Sequence, residues 1–301
     1  MDLDFRQLRY LLTIARQGSF SRAAAVLNMS QPALSTSISQ LERRIGTSVL
    51  SRGRHGASLT AAGQLLVRNA EIVEVQMNRA SEELRHHTLS AEGPLVVGIT
   101  PVAGADLVPR ALAQLRQKNP NAAVTVLELV FSEAMPALLT GRIDLMVGPV
   151  GVYPAVPGVV EEPLATDPFS IVVASTHALA RRRVLSLRQI GAVHWVLPND
   201  QSAFHRQIES LFVVAGLGWP TSATLTNSMS AIKSIVMHGN GVSVMPRQLV
   251  TIERRAGLLT CIRLAEAGAT RALGVSRAKD RTLSPLAESF AQIVRACARH
   301  A

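Results

Sequence analysis

Between Ser19 and Arg44 the apolar positions fall into two short runs with helical spacing. Ala23, Ala24, Val26 and Leu27 place small and apolar side chains on successive turns. This predicts a short helix starting after Phe20, with Ser21 as N-cap, and stopping at Asn28. A second helix is expected from Ser30 as N-cap. Pro32 fits its first turn, where a backbone N–H has no intrahelical partner, and Leu34, Ile38, Leu41 and Ile45 form its apolar face. From Val49 to Thr60 two apolar ends flank a tip rich in Gly and Arg, the pattern of a hairpin. Thr60 then caps a long apolar-periodic run from Ala61 to about Leu89, carrying Leu65, Leu66, Ile72, Val73, Val75, Met77 and Leu84 and followed by Ala91-Glu92-Gly93-Pro94.

From Gly93 onward the period changes to short β runs alternating with helices. Strands are expected at Leu95–Ile99, Val124–Val130 and Leu145–Val147, with helices at Ala103–Lys118 and Ser132–Thr140. A second such set has strands at Phe169–Ala174, Trp195–Leu197, Ala223–Thr226 and Val242–Met245, and helices from about Ser202 to Ala215 and from Ser230 to His238. The chain returns through Leu273–Ser276 and a final helix from Leu283 to Ala298. This order predicts an α/β architecture in two similar halves.

The polar face of the second short helix carries Gln31, Ser35, Thr36, Ser39, Gln40 and Arg43, short donors and acceptors able to reach base edges, with arginine able to meet guanine or phosphate. Two helices about a tight turn, the second with such a face, are the layout of a helix-turn-helix DNA reader. A solvated face on an ordinary amphipathic helix shows the same alternation, so the hairpin after it matters. Arg52 and Arg54 at the hairpin tip suit phosphate or minor-groove contacts. Charge agrees: residues 1–60 hold eight arginines against three acids, half of the net charge of +10 in a fifth of the chain.

The first 63 residues resemble the winged helix-turn-helix of the LysR-type transcriptional regulators. The resemblance lies in Leu8-Arg9-Tyr10, Gly18-Ser19-Phe20-Ser21-Arg22-Ala23-Ala24, Leu27, Ser30-Gln31-Pro32-Ala33-Leu34-Ser35, Ile38, Leu41-Glu42, Gly46, Leu50, Arg52 and Leu59-Thr60-Ala61-Ala62-Gly63. Val49-Leu50 departs from the Leu-Phe usual in the family. The resemblance implies an N-terminal all-α winged helix-turn-helix (1–60) with a long linker and dimerisation helix (61–92). After these it implies a two-lobed, periplasmic-binding-protein-like α/β sensor, with lobe I at 93–163 and 268–301 and lobe II at 164–267. Asp144-Leu145 and the stretch Gly239 to Pro246 match the sensor's recurrent patterns. The implied DNA set is Ser30, Gln31, Pro32, Ala33, Ser35, Thr36, Ser39, Gln40, Arg43, Arg52 and Arg54. The implied partners are a double-stranded DNA operator, a small-molecule effector, a second copy or three further copies of the chain, and RNA polymerase.

Ligands of open α/β sheets bind beyond the carboxyl ends of strands, near free N–H groups of helix N-termini. By family position this points to Thr100, Pro101, Val130, Phe131, Ser132, Asn199, Ser202, Asn227 and Ser228 as lining the effector cleft. Thr100 and Ser202 also read as plain helix caps, and Val130, Phe131 and Phe204 also read as packing residues. His205 reads as a helix-face histidine. No second-lobe arginine stands at an evident strand end to meet a carboxylate, Arg206 being the nearest candidate.

Enzyme motifs are missing: Gly148-Pro149-Val150-Gly151 lacks the Lys-Ser/Thr of a phosphate loop, and there is no GxGxxG after a strand, no HExxH and no Gly-x-Ser-x-Gly elbow. Cys261 and Cys297 lack CxxC spacing or a nearby histidine cluster, so neither a metal site nor a disulfide framework is expected, and no cofactor is expected either. Peroxide-sensing members of the family carry a cysteine pair in mid-sensor, whereas residues 199–215 contain none. A nonspecific architectural DNA protein would not need the long α/β part, and an exported binding protein would need a signal that Met1 to Arg6 does not begin. With no apolar run near the roughly 18 residues of a membrane span, a cytoplasmic protein without membrane contact is expected.

Overall fold

Cap residues set the helix boundaries at the start of the chain. A computed structural model describes residues 3–53, 56–88, 92–190, 192–200 and 204–299, and the chain divides into two compact units, 1–88 and 89–301. In the first unit α1 (Phe5–Gln17) is capped by Asp4, whose side chain accepts from the Arg6 N–H, and it ends at Gly18 in the left-handed conformation. The next helix, α2 (Phe20–Val26), begins earlier than expected. Its N-cap is Ser19, not Ser21, because the backbone is extended at Ser19 and helical from Phe20. Ser21 falls in the first turn and its hydroxyl donates to Gln31 Oε1 at 3.3 Å. After the turn α3 (Gln31–Ile45) starts as expected, with Ser30 Oγ accepting from the Ala33 N–H at 3.3 Å. Leu34, Ile38 and Leu41 are buried against Leu11 and Ile14 of α1 and Ala23 and Ala24 of α2, each contributing about 1.5–3 kcal/mol.

The hairpin β1 (Leu50–Gly53) and β2 (Gly56–Leu59) pairs Leu50 with Leu59. Thr60 joins it to α4 (Ala61–Thr88): its hydroxyl donates to the Ser48 carbonyl at 2.7 Å and accepts from the Gly63 N–H at 3.0 Å. Gly63 has no room for a side chain, since a Cβ there would lie 2.0 Å from the Val49 carbonyl oxygen. One face of α4 packs on this unit through Leu66, Val67 and Ala70, and the Arg16–Glu74 ion pair at 2.8 Å holds it to α1. Leu65, Ile72, Val73, Met77 and Leu84 stay exposed along the rest of the helix.

In the second unit β3 (Glu92–Ile99), β4 (Ala122–Glu128) and β5 (Leu145–Val150) run parallel in the order β4-β3-β5. The helix expected over Ala103–Lys118 is broken at Asp106 into α5 (Pro101–Ala105) and α6 (Leu107–Lys118). The Asp106 carboxylate there meets Arg110 Nε at 3.0 Å and Arg255 Nη1 at 3.2 Å, ties that helical periodicity does not reveal. α7 (Phe131–Thr140) makes the crossover from β4 to β5.

A 16-residue strand, β6 (Val159–Ala174), then crosses the whole unit. Its first part pairs antiparallel with β12 (Thr270–Ala278), which in turn lies beside β5. From Phe169 on it pairs instead with β10 (Ser243–Pro246) and β11 (Leu259–Leu264), and β11 pairs with the short β7 (Val184–Leu185). The parallel pair β8 (Trp195–Pro198) and β9 (Ala223–Thr226) joins this second sheet through the Trp195–Val242 bridge. Helices α8 (His205–Val214), α9 (Met229–Gly239) and α10 (Thr251–Arg255) belong to that half, and α11 (Pro285–Ala298) returns to pack on α6 with Phe290 fully buried.

Two expected boundaries move. The first boundary between the lobes, placed between residues 163 and 164, falls inside β6, whose change of partner comes between Pro168 and Phe169; alternation along a strand does not show where its neighbour changes. The linker helix, expected to reach residue 92, is described over Ala61–Thr88, residues 89–91 lie outside the described residues, and Glu92 already belongs to β3. The strands β7 and β11 and the helices α1 and α10 were not expected. Among the described residues no helix is long and apolar enough to cross a membrane, and no group of His, Cys, Asp and Glu is placed to hold a metal ion.

Candidate nucleic-acid interface and ligand cleft

The face of α3 opposite Leu34, Ile38 and Leu41 presents Gln31, Pro32, Ala33, Thr36, Gln40 and Arg43 exposed, with Ser35 and Ser39 half-buried beside them. Ser30 is exposed at the helix start, where it serves as cap. The one acid of the helix, Glu42, is turned toward the hairpin: its Oε1 accepts from the N–H groups of Val49 at 2.8 Å and Leu50 at 3.2 Å. A single carboxylate therefore fixes the hairpin to α3 and leaves the outer face free of acid. Arg44 is likewise taken by the fold, donating to Gln7 Oε1 at 2.5 Å, whereas Arg43 donates within its own helix, to the Ser39 carbonyl. Arg52 sits on β1 opposite Ala57, and Arg54 lies outside the described residues.

In the second unit a cavity of about 270 Å³ opens at the carboxyl ends of β3, β4 and β5. Five of the nine expected residues line it: Thr100, Pro101, Val130, Phe131 and Asn227. Thr100 stands at the N-cap position of α5 without making a cap bond, and its Oγ1 is buried without a hydrogen-bond partner among the described residues. Ser228 does not line the cavity; its Oγ caps α9, accepting from the Ala231 N–H at 3.2 Å. Ser132 is exposed outside the lining, and Asn199 is held on the β9 side, donating its N–H to the Thr226 carbonyl at 3.1 Å. Ser202 lies outside the described residues. Phe131 stacks on Tyr153 with ring centroids 4.0 Å apart, and His205 packs on Trp219 with its Nδ1 3.1 Å from the Pro198 carbonyl oxygen.

The residue that sequence reasoning missed is Arg271. It lies on β12 directly opposite Asp167 on β6, next to the point where β6 changes sheets. Both side chains are buried, and Arg271 donates through Nε and Nη2 to Asp167 Oδ2 at 3.3 and 3.1 Å. Nη1 donates to Gln207 Oε1 at 3.3 Å, and Asp167 Oδ1 accepts from the Gln248 N–H at 3.2 Å. The guanidinium carbon is 5.3 Å from the Phe169 ring centroid and 4.9 Å from that of Phe204. Burial is the largest influence on both groups, pushing the Asp167 carboxyl above and the Arg271 guanidinium below their ordinary values against their mutual attraction. Arg271 and Gln207 line the cavity, and Arg206, the arginine nearest to hand in the sequence, is exposed outside the lining. The available signal was a lone charge inside the strand run from Ala269 to Ser276.

A helix-turn-helix with a β wing, followed by a long helix and an α/β unit with a cleft where its strand changes sheets, defines a bacterial regulator with an appended sensor. The family of bacterial regulatory helix-turn-helix proteins of the lysR type matches residues 5–64, and the LysR substrate binding domain matches residues 90–299. The chain belongs to the LysR family and is a LysR-type DNA-binding transcriptional regulator. The SDS degradation transcriptional activation protein of a Pseudomonas species is 31% identical over 296 residues, covering 97% of this chain and 95% of that protein. The probable hydrogen peroxide-inducible genes activator of Streptomyces viridosporus is 28% identical over 271 residues, covering 90% and 86%. Among solved structures, full-length CbnR complexed with its target DNA is similar in fold at a TM-score of 0.69 and 23% identity, covering 98% of this chain and all of that one.

Proposed function

We propose that α3 enters the major groove of an operator with Gln31, Ser35, Thr36, Ser39, Gln40 and Arg43 toward the bases, Ser30, Pro32 and Ala33 at its leading end, and Arg52 and Arg54 on phosphate. The observation that carries this reading is the acid-free outer face of α3, with Glu42 turned inward onto the hairpin backbone. The exposed stripe Leu65, Ile72, Val73, Met77 and Leu84 on α4 is the surface through which two copies pair, so the operator is two-fold symmetric. The cavity beside Thr100, Phe131 and Asn227 holds a small-molecule effector that shifts the balance between lobe arrangements, and RNA polymerase is the further partner on the promoter. The protein acts in the cytoplasm and carries no catalytic activity.

Salt-resolved footprinting on the DNA upstream of the protein's own gene, against random DNA, tests this. A discrete two-fold protected site is expected. Ser35→Ala is expected to weaken operator binding more than random-DNA binding, and Arg52→Ala to lower both and reduce the salt slope by about 1. Equal loss on both DNAs after Ser35→Ala contradicts the division of roles.

A further inference from the structure

On the reading of the cleft as the effector site, on which this inference rests, the charge layout of the cleft defines the effector's chemistry. The sheet order β4-β3-β5-β12 places Glu128, the last residue of β4, and Arg271, at the start of antiparallel β12, on one sheet edge. With about 4.8 Å between neighbouring strands, these two strands stand about 14 Å apart. Glu128 and Glu133 are both exposed at the β4 and α7 end, whereas the Arg271 side chain is 4% exposed at the other. Among the described residues lining the cavity, Arg271 is the one cation. Between these ends the wall is apolar, with Met135, Met146 and the Phe131–Tyr153 stack.

A guanidinium has five N–H donors, and three of those of Arg271 go to Asp167 and Gln207. Two make no hydrogen bond among the described residues, on a side chain that lines the cavity, and Thr100 Oγ1 has no partner among the described residues. The Arg271–Asp167 pair is already neutral. A net anion would therefore carry an uncompensated charge into a site that also faces two carboxylates, and a net cation would leave the buried donors of Arg271 unmet. A molecule bearing both charges does neither.

We propose that the effector is a small zwitterion with an apolar or aromatic body, its carboxylate on the spare N–H groups of Arg271 and its ammonium toward Glu128 and Glu133. Asp167 is then a positioning residue, which holds the guanidinium by its Nε edge.

The test uses calorimetry on the full chain with two matched probe series whose charges stand at opposite ends of the apolar body: 4-(aminomethyl)phenylacetate, 4-methylphenylacetate and 4-methylbenzylamine, and 6-aminohexanoate, hexanoate and hexylamine. The zwitterion of at least one series is expected to bind at least tenfold more tightly than its single-charge partners. Glu133→Gln is expected to weaken zwitterion binding at least tenfold and leave carboxylate-only binding unmoved. Because Arg271→Met alone leaves Asp167 buried without a counter-charge, the paired replacement Asp167→Asn with Arg271→Met is used, its native melting transition checked first, and it too is expected to lose the zwitterion. Preference for a single-charge probe, zwitterion binding indifferent to these variants, or binding of no probe overturns the proposal. A single-charge probe that is lost on Phe131→Ala overturns the zwitterion and keeps the cleft as effector site. A probe that binds indifferently to Phe131→Ala, Glu133→Gln and the paired replacement overturns the cleft as well.

Discussion

Replacing one partner of the Arg271–Asp167 pair is expected to be far more damaging than replacing both. Asp167 is 0% exposed and Arg271 8%, so Asp167 cannot turn to water when its partner is removed, and Arg271 can do so only on the side that lines the cavity. Asp167→Leu leaves a buried guanidinium hydrogen-bonded to Gln207, and it strips the Gln248 N–H of its acceptor. Arg271→Met leaves a buried carboxylate with that N–H alone. Each single change is expected to cost about 3–5 kcal/mol, and the double change, which fills similar volume with apolar atoms, to lie within about 1–2 kcal/mol of the parent. The coupling read from the cycle is therefore several kcal/mol, well above the few tenths seen for independent sites.

Urea unfolding followed by tryptophan fluorescence isolates the relevant transition, because both tryptophans, Trp195 and Trp219, lie in the second unit. The pH dependence carries a second signature. The Asp167 carboxyl is raised on folding, chiefly by burial, so the folded state holds its proton at a pH where the unfolded chain has lost it. The stability this proton brings is fully present below the ordinary aspartate value and is lost as pH rises through the raised one. The double variant should lack this decline. Single changes that each cost less than about 1 kcal/mol, or a double change equal to their sum, would refute the description of a desolvated, mutually dependent pair.

Gly63→Ala places a Cβ 2.0 Å from the Val49 carbonyl oxygen, backbone against backbone, so a loss of about 1–3 kcal/mol from the first unit is expected, seen as a lower melting temperature by circular dichroism; an unchanged melt would show that the hairpin can shift freely. Glu162 is held below the usual glutamate range chiefly by its hydrogen bonds from Arg295, so its contribution is complete above that range and is lost as pH falls through the lowered value. With the Glu162 side chain 44% exposed, Glu162→Gln at neutral pH should cost less than about 1 kcal/mol in a urea melt, and a larger cost would mean that the pair is less screened than its exposure indicates. Burial pushes the Cys261 thiol up to about 11, so about one molecule in ten thousand carries the thiolate at neutral pH. Peroxide at concentrations that oxidise exposed thiols is expected to leave Cys261 unmodified by mass spectrometry, and rapid sulfenic acid formation there would contradict it.

The winged helix-turn-helix was legible because its determinants are close together in sequence. Ser30 caps its helix through Ala33, the apolar face of α3 repeats within 15 residues, and Glu42 reaches the hairpin seven and eight residues on. Cap chemistry, periodicity and the Gly-Arg tip all speak at that range, and the slips are the N-cap of α2, Ser21 for Ser19, and the first helix α1, which was not predicted. In the second unit the elements were legible but their neighbours were not. β6 reads as two things, a crossing and a strand, because a strand shared by two sheets has one uninterrupted pattern. The short β7 and β11 carry little period of their own, and they exist as strands through their pairing.

The same contrast explains the half-legible cleft. Thr100, Phe131 and Asn227 follow strands, and the rule that ligands gather at strand ends finds them whatever the tertiary detail. Arg271 fails that rule on two counts: it begins a strand rather than ending one, and its partner Asp167 is 104 residues earlier in the chain. Only because β12 runs antiparallel to β5 does the start of one strand meet the ends of the others, which puts a cation at an edge where the parallel strands supply none. A charge within an apolar strand run is therefore the useful signal in a fold of this kind. Alone it is costly to bury, so it must have a partner on an adjacent strand, and where one of the two strands passes between lobes the pair falls on the wall of the cleft. Applied to this chain, that rule selects Arg271 near the start of β12 and Asp167 in the interior of β6, which pair beside the point where β6 changes sheets.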